Sequence, residues 1–217
     1  MPLIALCPLL VLTLSGCSAV AYKATMPDVS LNCVGDLKSL PATPLRFPVI
    51  GEEPDEHEGY VEFASLAGCY RPADGTAVPV ALYRLESIAA PAEVKVSVSL
   101  STGGTFAASL DVLDEQWNSI RRYGFQEFVR RGSMYSLDVF VNASQRRPAY
   151  LLLTPDTAHV GRTDTTSGSQ SNATPILAGP VVFTYFSSVE VQSVNPLLQG
   201  GKVRVVARPQ VTALGVD

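Results

Sequence analysis

Apolar and polar residues alternate without a break over residues 92–100, where Val94, Val96, Val98 and Leu100 take turns with Glu93, Lys95, Ser97 and Ser99. Successive side chains of a strand point to opposite faces, so this spacing predicts a strand with one buried and one wet face. Phe106, Ala108, Leu110 and Val112 repeat the alternation into Leu113-Asp114-Glu115, and Thr102-Gly103-Gly104 between the runs reads as a turn. The two runs are expected to pair as an antiparallel hairpin. Further strands are expected over residues 60–63, 78–85, 134–141 and 149–154. Tyr150-Leu151-Leu152-Leu153 is apolar on both faces, which suits a central strand. Residues 181–185, 189–194 and 202–207 supply three more short strands, while the Ser/Thr-rich, unperiodic stretch 161–174 reads as a long mobile loop. Phe125 to Arg131 offers one helical turn and little more.

Seven to nine short strands with turn signals and no convincing helix predict an all-β antiparallel β-sandwich. Ahead of it, residues 18–58 lack periodicity and carry Pro27, Pro41, Pro44, Pro48 and Pro54. They are expected to form a proline-rich tether around the domain, with one short strand near Leu45-Arg46-Phe47.

Residues 3–14 are an apolar run too short to cross a bilayer, which needs about 20 residues. Followed by small residues, such a run reads as a secretory signal, although Met1-Pro2-Leu3-Ile4 lacks the usual lysine or arginine. Leu14-Ser15-Gly16-Cys17 resembles the lipobox of bacterial lipoproteins. That resemblance implies a diacylglycerated thiol, cleavage before Cys17, and a membrane anchor carrying two or three acyl chains. The alternative is an ordinary core cysteine. Ser18 stands where an aspartate would resemble the inner-membrane retention signal, so the same family rule implies the outer membrane, facing the periplasm. The expected organisation is a signal peptide (1–16), a lipidated arm (17–58), the sandwich (59–209) and a short tail (210–217).

Cys7 leaves with the signal and Cys17 takes lipid, so Cys33 and Cys69 remain. An even remainder in an oxidising compartment reads as a disulfide, the alternative being two free buried thiols. A formal net charge of −4 and a pI of about 5.2 argue against a nucleic-acid footprint. Only 17% of residues are charged, which suits a sheet-built domain better than a helical one.

Catalytic chemistry finds little support. His57 and His159 are the two histidines, and neither sits in the frame of a serine or cysteine nucleophile. Asp111 and Asp114 lie three apart on an expected strand and so point to opposite faces. The run Glu52-Glu53-Pro54-Asp55-Glu56-His57-Glu58 has oxygen ligands but not the spacing of a calcium loop, and reads as a solvated linker. No catalytic residue, metal ligand or cofactor is expected. Trp117, Tyr123 and Phe125 crowd a turn-rich segment with Arg121 and Arg122, residue types enriched at interfaces. They are candidate contacts for a sugar or a protein partner; packing over the open end of the sandwich is the plainer reading.

Val80-Ala81-Leu82-Tyr83-Arg84-Leu85, the run 94–100, Phe106 through Leu110-Asp111-Val112-Leu113-Asp114, and Ala149-Tyr150-Leu151-Leu152-Leu153-Thr154 follow one another in an order that resembles the maltose-operon periplasmic protein family. The likeness covers residues 60–206 and consists of strand patterns, so it carries over no catalytic or ligand-binding residue. It implies a non-enzymatic envelope protein with an accessory role in carbohydrate uptake. The rival expectation is a structural or assembly lipoprotein that docks onto an envelope protein complex through its aromatic-arginine segment.

Overall fold

A computed structural model describes residues 24–28, 32–47, 59–86, 92–101, 103–141, 147–178 and 181–209. The expected signal peptide, Cys17, the acidic run with His57 and the tail from 210 lie outside the described residues.

The strands in chain order are β1 (Cys33–Val34), β2 (Ala42–Arg46), β3 (Val61–Glu62), β4 (Gly68–Tyr70) and β5 (Val78–Glu86). Then come β6 (Ala92–Ser99), β7 (Thr105–Phe106), β8 (Ala108–Asp114), β9 (Ser119–Tyr123) and β10 (Val129–Arg131). The last are β11 (Met134–Val141), β12 (Pro148–Pro155), β13 (Thr163–Ala178), β14 (Val181–Leu198) and β15 (Lys202–Pro209). One sheet runs β1-β4-β5-β12-β8-β9, with β2 also paired to β5; a second runs β10-β11-β6-β15-β3. The chain is all-β and sandwich-like, and among the described residues helix is confined to single turns such as Phe63–Leu66 and Phe125–Glu127.

Alternation explains why the two sheets close on each other. Ala81, Tyr83 and Leu85 of β5, Leu151 and Leu153 of β12 and Leu110 and Val112 of β8 turn inward. They meet Val94, Val96 and Val98 of β6, Leu137, Val139 and Val141 of β11 and Val203 and Val205 of β15 in one continuous core. Central β12 is apolar on both faces because Leu152, between the two inward leucines, enters a smaller cluster on the outer face with Leu40, Val80, Leu82 and Leu113.

The arm supplies the cover for that outer cluster. Cys33 and Cys69 are joined by a disulfide, 4.3 Å apart at Cα and directly opposite each other where β1 lies parallel to β4. From that bond the chain crosses to β2, parallel to β5, and buries Leu40 on the way. A Cβ at Gly68 would stand 2.8 Å from Cδ2 of Leu40, so any larger residue there would have to push the end of that side chain aside. The domain therefore begins within the segment expected to be tether, and the strand expected near Leu45 is β2.

Three expectations are corrected. The runs 92–100 and 106–112 do not pair: β6 lies between β11 and β15 in one sheet, while β8 lies between β12 and β9 in the other. Alternation tells each strand to bury one face, but two facing strands satisfy it as well as two neighbours do. The chain instead arches between sheets through Gly104, at φ +130°, where a Cβ would fall 2.5 Å from Leu198. Residues 161–174, expected as a mobile loop, lie largely in the sixteen-residue strand β13. Two short strands expected at 181–194 are one strand of eighteen, β14. Sixteen register pairs, Thr163 opposite Pro196 through Ala178 opposite Val181, join β13 and β14 into a two-stranded ribbon. It is held together by backbone pairing along its inner edges rather than by burying one face of side chains, which is why hydrophobic period carried no signal there. A fourth, smaller difference is that the strand expected at 60–63 ends at Glu62, and Phe63 turns into a helical turn with its N–H donating to the Gly201 carbonyl at 2.8 Å.

Candidate functional site

Asp114 builds the turn between β8 and β9. Its Oδ1 accepts from the N–H groups of Gln116 and Asn118 at 2.9 and 2.8 Å, while its carbonyl accepts from Trp117 N–H at 3.0 Å. Held this way, Trp117 adopts φ +68°, a conformation few non-glycine residues take. Its ring stacks on Tyr150, with centroids 4.3 Å apart, and joins the outer cluster. Arg122 points to the same side as Asp111, whose buried carboxylate accepts from the guanidinium at 2.9 and 3.1 Å and from Ser119 Oγ at 2.5 Å.

Tyr123 and Phe125 go the other way, into the main core. Burial pushes the Tyr123 phenol above its ordinary value, and the exposed Arg121 guanidinium lies 4.5 Å over its ring. Phe125 is packed between Tyr135 and His159, with centroids 5.0 and 5.8 Å away. Its N–H donates to Asp156 Oδ2 at 2.8 Å. Burial pushes the Asp156 carboxyl up, but that hydrogen bond, another from Ala158 N–H and the adjacent His159 ring outweigh it and hold the group below the usual aspartate value. The five candidate contacts thus do not converge: Trp117 belongs to the outer cluster, Tyr123 and Phe125 to the core, and the two arginines to the exposed edge strand β9. Among the described residues no group of three or more histidine, cysteine or acidic side chains is placed to hold a metal ion. No described helix is long and apolar enough to cross a membrane.

A different surface stands out. Of eleven large hydrophobic side chains exposed among the described residues, seven lie on the ribbon: Ile176, Val182, Phe183, Tyr185, Phe186, Val189 and Val194. Their exposure runs from 49% for Ile176 to 70% for Phe186, so the sandwich does not cover them. At about 3.3 Å per residue the ribbon is roughly 50 Å long. Its base is fixed to the body: Leu197 and Asn195 are buried, Leu197–Leu198 pair with β7, and the Tyr135 hydroxyl donates to Asp164. Pairing places Ile176, Phe183, Tyr185 and Val189 on one face, and Val182, Phe186 and Val194 on the other among Thr184, Ser188, Glu190 and Gln192.

By its hydrophobic pattern this segment reads as a loop and two short strands, and none of its apolar residues stands out as a candidate contact. A signal was nevertheless present. Residues 165–194 contain one charged residue, Glu190, where the chain's average of 17% would place about five. Compared with protein-family models, with curated proteins and with solved structures, the chain matches none of them.

Proposed function

We propose that this is a lipid-anchored envelope protein, held through an acylated Cys17 to the outer membrane on its periplasmic side, that works by binding rather than catalysis. The observation that carries the reading is the ribbon: a 50 Å-scale projection, fixed at its base and lined with exposed apolar side chains. An exposed apolar patch of this extent on an otherwise well-closed fold marks an interaction site. Docking onto an envelope partner through the ribbon is the role this geometry supports best. The accessory role in carbohydrate uptake rests on the strand-pattern resemblance alone. Sugar stacking on the aromatic segment is less well supported, since one face of Trp117 is taken by Tyr150 and both Tyr123 and Phe125 are buried.

The test is site-specific photo-cross-linking in whole cells from position 185, with position 84 as control: Arg84 is exposed on the sandwich, remote in sequence from the ribbon. A discrete adduct from 185 and none from 84 is expected. No adduct from 185, together with saturable glycan binding abolished by Trp117→Ala, would contradict docking and favour the sugar reading.

A further inference from the structure

We infer that the partner of the ribbon is other copies of this chain, joined ribbon to ribbon along their open edges. The inference rests on the docking reading above and names its occupant.

Two-stranded ribbons are marginally stable in water, and three or more strands or a covering layer are needed. Among the described residues β13 pairs with β14 alone, and β14 gains a second strand, β7, at Leu197–Leu198 only. In an antiparallel pair, alternate residues turn their N–H and C=O groups outward. Each outer edge therefore offers about eight residues' worth of donors and acceptors. Natural edges of this length are guarded by lysines, bulges or prolines placed to block pairing. Here the sixteen-pair register runs without a shift and no lysine or arginine lies between Thr165 and Val194. Pro175 is the one proline of that stretch within a strand, three residues from the end of β13.

Charge selects the occupant. A charged partner finds no complement on a surface whose single charge is Glu190, whereas a second ribbon of the same composition meets no repulsion beyond that one residue. Size is sufficient as well. Two edges of this length form about sixteen backbone hydrogen bonds, above the roughly ten of an ordinary protein interface. A single ribbon cannot enter lipid with those edges open, because unsatisfied backbone groups are excluded from the hydrocarbon. Joining copies closes each edge with the next. The mixed face carrying Val182, Thr184, Phe186, Ser188, Glu190, Gln192 and Val194 and the face carrying Ile176, Phe183, Tyr185 and Val189 then continue from copy to copy. Anchoring at Cys17 confines the copies to one surface and raises their effective concentration.

The experiment takes the full, lipidated chain from envelope membranes into mild detergent and measures particle mass for the wild type and for Tyr185→Lys combined with Val189→Lys. Both side chains are exposed on the ribbon, so the sandwich should keep its melting temperature, which is measured in parallel. The wild type is expected at multiples of the protomer mass and the double variant at a single protomer, with cross-links from position 185 joining two copies of the chain. A single-protomer wild type whose adduct contains a different protein would overturn self-assembly and leave docking standing. A single-protomer wild type with no adduct of any kind would overturn both. Binding of the single protomer to protein-free vesicles, retained by the wild type and lost in the variant, would make lipid the occupant and sink the self-assembly proposal.

Discussion

Phe106→Ala is expected to lower the unfolding free energy by about 3–5 kcal/mol, the range for deleting a fully buried aromatic side chain. Phe106 has no exposed surface and stacks on the equally buried Phe63, with centroids 4.4 Å apart and planes inclined by 25°. Its strand β7 is two residues long and sits where the arch from β6 delivers the chain to the end of β14. Gly201, at φ +152°, presses against it so closely that a Cβ would come within 3.2 Å of Phe106 Cβ. Neighbours held by this crossing cannot move in to fill the space, which puts the cost toward the upper half of the range. At about 2–4 °C per kcal/mol for a domain of this size, the melting temperature should fall by roughly 10 °C or more. Urea denaturation of the two proteins measures it; a loss under 1 kcal/mol would mean that the sheet junction is not packed as described.

Opening the Cys33–Cys69 bond is expected to cost about 3–4 kcal/mol, from the lost constraint on a 36-residue loop in the unfolded chain. The native state supplies a reason for the bond beyond chain entropy. It fixes the start of the segment that lays Leu40 over Val80, Leu82, Leu113 and Leu152, and with the bond open the two-residue β1 is left to hold that end. Cys33→Ser with Cys69→Ser should therefore melt roughly 10 °C below the oxidised wild type, again at about 2–4 °C per kcal/mol. Wild-type protein in reductant should match the double variant. Equal melting temperatures with and without reductant would remove the disulfide from the account of stability.

Both effects fall at places where the sequence was only partly legible. Alternation in β6 and β8 picked out the side chains that face the main core, Val94, Val96, Val98, Leu110 and Val112, while Asp111, Leu113 and Asp114 on the other face of β8 are buried as well. Strand partners were not legible, because period two is the same for a neighbour in a sheet and a strand across the core. That is how an arch came to be expected as a hairpin. The pairing of Cys33 with Cys69 followed from arithmetic on four cysteines, without any knowledge of the parallel β1–β4 contact that aligns them. The ribbon was least legible of all. Ser167, Ser169 and Ser171 alternate with other small polar residues, so neither face of β13 announces a core, and backbone pairing leaves no mark on side-chain pattern. Among the candidate contacts, composition identified Trp117, Arg121, Arg122, Tyr123 and Phe125, but a strand followed by a turn scatters such neighbours between two faces and an edge.

The proposed attachment through Cys17 would place the sandwich, its ribbon and any neighbouring copies on one surface, and feeding cells a labelled fatty acid tests it most directly. The account predicts label on the mature chain, recovery with the outer-membrane fraction, and loss of both on Cys17→Ser. Unlabelled protein recovered from the soluble fraction with residues 1–16 still attached would contradict it.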